Sequence, residues 1–193
     1  MSLVFDRHWL LTWTTYGTWL PGDVRGFVSP ISRDSEGGKW VRENRPGVAY
    51  DQDMPARLEQ SRQLLKGASV FLRLPQAELL LGQFQETAVH RGWGLLAAAV
   101  MRAHVHLVVG VPGDPEPDVL LRDFKAYGSR ALNRRFSRPE SGTWWTEGGS
   151  KRVKRAEEAV VAAVRYVAWQ EKALVVWVDA GWAWALGEER GKR

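Results

Sequence analysis

Two histidines separated by one residue, His104-Val105-His106, lie inside the apolar run Leu107-Val108-Val109 and its approaches. In an extended strand, side chains at i and i+2 leave the same face, so both imidazoles converge on one point. Two neutral imidazoles so placed can hold a divalent cation. A second candidate lies further along the chain. Leu120, Phe124, Tyr127 and Ala131 follow the spacing of one helix face, so Tyr127 belongs to the stripe that packs on the sheet. Gly128 follows it at mid-helix, where glycine costs about 1 kcal/mol relative to alanine and marks a close backbone approach. A tyrosine hydroxyl facing a cation, with Lys125 and Arg130 nearby, is a nucleophile suited to phosphorus, because positive charge favours the phenolate.

The charge pattern names a class of substrate. The chain carries a formal net charge of +5 and a pI of 9.7, yet residues 122–155 hold ten basic against three acidic residues, a local +7. The rest of the chain is slightly acidic. Such a segment is the footprint of a protein that meets a polyanion, and eleven tryptophans supply faces on which unpaired bases could stack. Lys125, Arg130, Arg134, Arg135, Lys151, Arg152 and Lys154 are the expected DNA contacts. With no cysteine, disulfides and thiolate metal sites are excluded. Gly94 to Met101 is the longest uncharged apolar stretch and is far too short for a membrane span; Asp6, Arg7 and His8 interrupt any leader-like core. A cytoplasmic protein without a membrane partner is expected.

The elements that must position these residues follow from periodicity. His8 to Gly17 reads as a strand closed by a Leu20-Pro21-Gly22-Asp23 turn, and residues 18–52 lack periodicity, as a long functional loop would. Helical spacing marks 54–66 and 76–91; 94–101 and 104–111 read as adjacent strands. Prolines and acids at 114–118 open a helix that reaches Phe136, residues 142–154 read as a hairpin around Gly148-Gly149, and Glu157-Glu158 open another helix. Residues 173–178 read as a last strand or an extension. Strands separated by helices, with hairpins rather than regular βαβ units, predict one α+β domain over 1–193 with a mostly antiparallel sheet, helices mainly on one side, and a C-terminal extension after about residue 172.

From about Trp9 to Gln170 the chain resembles the REP-associated, single-tyrosine transposases of the HUH endonuclease superfamily. The likeness rests on Met101-Arg102-Ala103-His104-Val105-His106-Leu107-Val108-Val109, then Phe124-Lys125-Ala126-Tyr127-Gly128-Ser129-Arg130-Ala131-Leu132-Asn133. Thr14 to Asp23 and Trp145 to Ser150 add to it. The resemblance implies a ferredoxin-like α+β domain in which His104 and His106 hold Mg²⁺ or Mn²⁺. It implies that Tyr127 cleaves hairpin-bearing single-stranded DNA, leaving a 5′-phosphotyrosine link and a free 3′-OH, and it leaves monomer or homodimer open. The chain departs from the pattern at two points. The third polar ligand expected one turn after the tyrosine is Ala131, with Asp123 one turn before as a substitute, and the Pro-Asn expected before the first histidine is Arg102-Ala103. A noncatalytic single-stranded-DNA-binding protein on the same fold is the alternative, and a metal-dependent hydrolase of small phosphoesters, which would not need the basic segment, is a third.

Overall fold

Trp9, Leu11 and Trp13 alternate with Leu10 and Thr12 along the first strand, and this period of two sorts the molecule into layers. The computed structural model describes residues 4–25 and 53–187, together with the backbone of 34–35 and 38–39. Its elements are β1 (Arg7–Thr14), a two-residue pair β2 (Asp34–Ser35) and β3 (Gly38–Lys39), α1 (Pro55–Gln63), α2 (Leu74–Arg91), β4 (Gly94–Met101) and β5 (His104–Val111). They are followed by α3 (Pro117–Arg135), β6 (Ser150–Lys154), α4 (Glu157–Ala168), β7 (Ala173–Val178) and a 3₁₀ turn over Ala180–Leu186. Most of the 18–52 loop thus lies outside the described residues.

The sheet runs β6-β1-β5-β4-β7 with every neighbour antiparallel. The order β1, α2, β4, β5, α3, β6 and the spatial arrangement β6-β1-β5-β4 are those of a ferredoxin-like α+β fold. Leu11, Trp13, Val105, Leu107 and Val109 point from the sheet into one core with Leu80 and Phe84 of α2 and Leu120, Phe124 and Leu132 of α3. The opposite face carries Leu10, Ala99 and Val108 under Val160, Ala163, Val164 and Val167 of α4. Helices α2 and α3 therefore cover one face and α4 covers the other. That is why β4 and β5 read as near-continuous apolar runs: both sides are buried, each fully buried Val or Leu contributing about 1.5–3 kcal/mol.

Helix boundaries follow local chemistry. Gln76 Oε1 accepts from the Arg73 backbone N–H at 2.8 Å to start α2, which ends at Gly92 in the left-handed region. In α3, Asp118 opens the first turn and Arg134 and Arg135 close the last, each complementing the helix dipole. Gly128 marks the α2–α3 contact: a Cβ there would meet Leu80 Cδ2 at 3.0 Å and Phe84 Cε1 at 3.3 Å.

One element differs from its sequence reading. Residues 142–154 form no hairpin; β6 pairs with β1, and upstream only an isolated bridge joins Trp145 to Thr15. Gly148 (φ 71°) and Gly149 (φ 154°) turn the chain into the sheet edge, where a Cβ on Gly149 would come within 2.8 Å of the Thr12 carbonyl oxygen. Of the two readings open for residues 173–178, the structure shows the strand, at the sheet edge beside β4.

Candidate nuclease site

His104 and His106 leave β5 on the same side as Val108, which is the α4 side. Their ring centroids are 4.8 Å apart. Thr12 lies opposite His106 in the β1–β5 register, and its Oγ1 is 2.7 Å from His106 Nδ1. A hydrogen bond there fixes the ring and leaves Nε2 as the outward nitrogen. Burial holds both imidazoles below the usual histidine range, with a further lowering of His104 by the Arg25 charge. His106 falls to about 4, burial acting first and the neighbouring His104 second. Both are therefore neutral near pH 7, the state in which imidazole binds metal.

The side chain that joins this pair comes from α4. Tyr166, half exposed in the last turn, meets the His106 ring edge to face at 5.2 Å between centroids. The rows Val160, Val164 and Val167 seat α4 on the sheet and leave Tyr166 at the margin of the packed stripe. Gln170 follows one turn later, its side-chain amide donating to the Tyr166 carbonyl at 3.0 Å. Beyond Tyr166, Arg165, Trp169 and Trp184 line an open groove of about 630 Å³. Parity along β5 pairs the two histidines, but which helix covers that face is a tertiary fact, so Tyr166 was not legible. The signal was present in residue types: α4 carries a tyrosine beside its apolar row and a glutamine four residues on.

Tyr127 and Asp123 do not join the site, which corrects their sequence assignments. Helix α3 packs on the other side of the sheet, so Tyr127 is separated from the histidines by the sheet itself. Its ring lies between Arg130, 4.8 Å from the centroid, and Arg91, 5.9 Å away, with His90 at 6.4 Å. Asp123 is buried against Arg91 (2.5 Å) and Arg122 (3.2 Å), so its carboxylate is already balanced by two guanidinium groups. Among the described residues, no three His, Cys, Asp or Glu side chains gather as a metal cluster.

The basic segment divides in the same way. Arg152 and Lys154 stand opposite Leu10 and His8 in the β1–β6 register and so emerge on the histidine face, whereas Lys151 stands opposite Leu11 and pairs with Asp118 at 2.5 Å. Lys125 is spent on the protein. Its Nζ donates to the carbonyls of Thr146 (2.6 Å) and Gly148 (2.8 Å), and burial pushes its pKa down to about 8 against a smaller opposing pull from Glu147. Arg130 stacks on Tyr127, and Arg134 and Arg135 are exposed at the end of α3, away from the histidine face.

No helix among the described residues is long and apolar enough to cross a membrane. Comparison with curated proteins finds no match. Among solved structures, a REP-associated tyrosine transposase bound to a REP hairpin is similar at 14% identity and a TM-score of 0.45, over 86% of this chain and 67% of that one. A Deinococcus radiodurans protein assigned as a transposase is similar at 16% identity and a TM-score of 0.40, over 86% of this chain and 91% of that one. Residues 69–170, more than half of the chain and spanning both histidines, Tyr166 and Gln170, match the family described as IS200-like transposase, and the chain belongs to that family.

Proposed function

We propose that this chain cuts and rejoins single-stranded DNA beside a hairpin, with Tyr166 as the nucleophile. The observation that carries this reading is the 5.2 Å approach of the Tyr166 ring to His106 on the face that also bears His104. In the proposed reaction Tyr166 Oη loses its proton to solvent and attacks the scissile phosphorus. The P–O3′ bond breaks, the departing 3′ oxygen takes a proton, and the strand remains attached through a 5′-phosphotyrosine whose ester energy is kept for joining to another end. Arg152 and Lys154 would track the backbone on the same face. The similar REP-associated enzyme holds a REP hairpin in its structure, and a hairpin-bearing strand is the substrate proposed for this chain.

The residues fit a divalent cation in part. His104 and His106 present neutral imidazoles on one face, and Thr12 orients the second. The third polar ligand that the family resemblance puts one turn past the tyrosine falls on Gln170 once Tyr166 is the tyrosine. Mg²⁺ or Mn²⁺ held there would supply positive charge to the scissile phosphate.

The test is covalent capture. A labelled single strand bearing a hairpin is incubated with Mn²⁺ and the adduct is located by mass spectrometry. Wild-type protein and the Tyr127→Phe variant should form it, and Tyr166→Phe should bind the strand without forming it. An adduct on Tyr127 would overturn the assignment. Binding without any adduct would favour the noncatalytic DNA-binding alternative.

A further inference from the structure

The segment Thr14 to Asp23, which the cleavage chemistry leaves unused, folds around one backbone oxygen. The carbonyl of Ala103, the residue before His104, accepts from Thr15 N at 2.8 Å, Thr15 Oγ1 at 3.1 Å and Thr18 Oγ1 at 3.1 Å. Two glycine turns with positive φ allow this course. A Cβ on Gly17 would come within 2.8 Å of Ser69 Oγ, and one on Gly22 within 2.5 Å of the Leu58 nitrogen.

The outcome of this folding is a guanidinium held in place. Arg25 Nη2 donates to the Thr18 carbonyl at 2.8 Å and to Asp23 Oδ2 at 2.7 Å, while Nε donates to Asp23 Oδ1 at 2.7 Å. The guanidinium carbon lies 4.9 Å from the centroid of the Trp19 ring. Through Thr18, which also donates to the carbonyl of Ala103 next to His104, Arg25 is therefore tied to the turn that begins β5. Its side chain remains 47% exposed, and Nη1 makes no hydrogen bond among the described residues.

We propose that Arg25 is a phosphate-binding residue, oriented by Asp23 and Thr18 to take one phosphodiester of the bound single strand at the His104 end of the site. A carboxylate on one edge of a guanidinium fixes its plane, and the other edge can then make charge-assisted bonds to phosphate oxygens. A residue that merely stapled its loop would need neither exposure nor nearness to the histidines. This inference rests on the nuclease reading above, and it adds a contact that neither the histidines nor Tyr166 makes.

The test is a cycle between one side chain and one phosphate, in a Tyr166→Phe background that does not cleave. Hairpin-bearing strands with a single neutral methylphosphonate at successive linkages are bound to proteins carrying Arg25, Arg25→Gln or Arg25→Lys, and binding is followed by fluorescence anisotropy. With Arg25, neutralising one linkage should lower affinity about tenfold or more, the size expected for a hydrogen bond to a charged group. With Arg25→Gln, that same linkage should become indifferent while the others keep their cost. Arg25→Lys should recover part of the sensitivity and serves if the Gln variant melts early. A Gln variant that binds every strand equally less well, or no less well, would overturn the proposal while wild-type adduct formation left the nuclease reading intact. Failure of the Arg25 protein to bind any strand would overturn both.

Discussion

The His106 imidazole is held from two sides: Thr12 Oγ1 lies 2.7 Å from its Nδ1, and the Tyr166 ring meets it edge to face at 76°. The Thr12 hydroxyl can accept from an Nδ1–H, and in that tautomer Nε2 offers its lone pair outward to a cation. Thr12→Val keeps the shape of the side chain and removes that control. Mn²⁺ affinity, read by calorimetry, should fall about 10–100-fold, and Thr12→Ser should restore most of it. Equal affinity in the Val variant would show that Thr12 has no hold on the ring.

Tyr127 should prove to be a structural residue. Its hydroxyl makes no bond used by the site, while its ring is shared by Arg130 and Arg91. Tyr127→Phe should leave both stability and adduct formation unchanged. Tyr127→Ala should cost about 1–2 kcal/mol in urea unfolding, from two exposed cation–π contacts, again with the adduct retained. Loss of the adduct in the Phe variant would return the nucleophile to α3.

How far the sequence reached is visible in these two tyrosines. Strand parity placed His104 and His106 on one face, and that holds; the helix spacing of α3 placed Tyr127 in the stripe that packs on the sheet, and that does not. Joining them required knowing whether α3 and the histidine face of β5 lie on the same side of the sheet, which residue periodicity does not encode; they lie on opposite sides. In the structure the stripe on α3 is Leu120, Phe124, Gly128 and Leu132, and Tyr127 is half-buried at its margin. Gly128 was legible because a mid-helix glycine has a local cost that needs a tertiary cause, here the close approach of α2. The local +7 was legible as a sum, but its division depends on β6 being a strand: the successive residues 151 and 152 leave on opposite faces.

That division predicts unequal salt effects. Arg152 and Lys154 share the face of the histidines, whereas Lys151 is turned away and paired with Asp118. Replacing Arg152 and Lys154 together by Ala should reduce the log–log salt slope of single-strand binding by roughly 0.7 for each phosphate no longer neutralised, and should weaken different sequences alike. Lys151→Ala should leave the slope unchanged. A slope that responds to Lys151 and ignores the other two would place the DNA on the α3 side of the sheet.

Lys125 gives a pH signature that belongs to the fold rather than to DNA. Its Nζ is enclosed by the loop carbonyls of Thr146 and Gly148, and burial lowers its pKa from 10.5 in the free chain to about 8. Below the folded value the side chain is charged in both states, and the native state bears the full cost of enclosing that charge. Between the two values the unfolded chain still holds a proton that the native state has released, so the free energy of unfolding rises with pH across this window. Lys125→Met removes the titration together with both hydrogen bonds. Urea unfolding of the two proteins should therefore show the wild type gaining on the variant as pH is raised from about 7.5 to about 10, whatever the other basic groups contribute to both. A difference that stays flat with pH would mean that the two carbonyls and Glu147 hold the ammonium charged throughout.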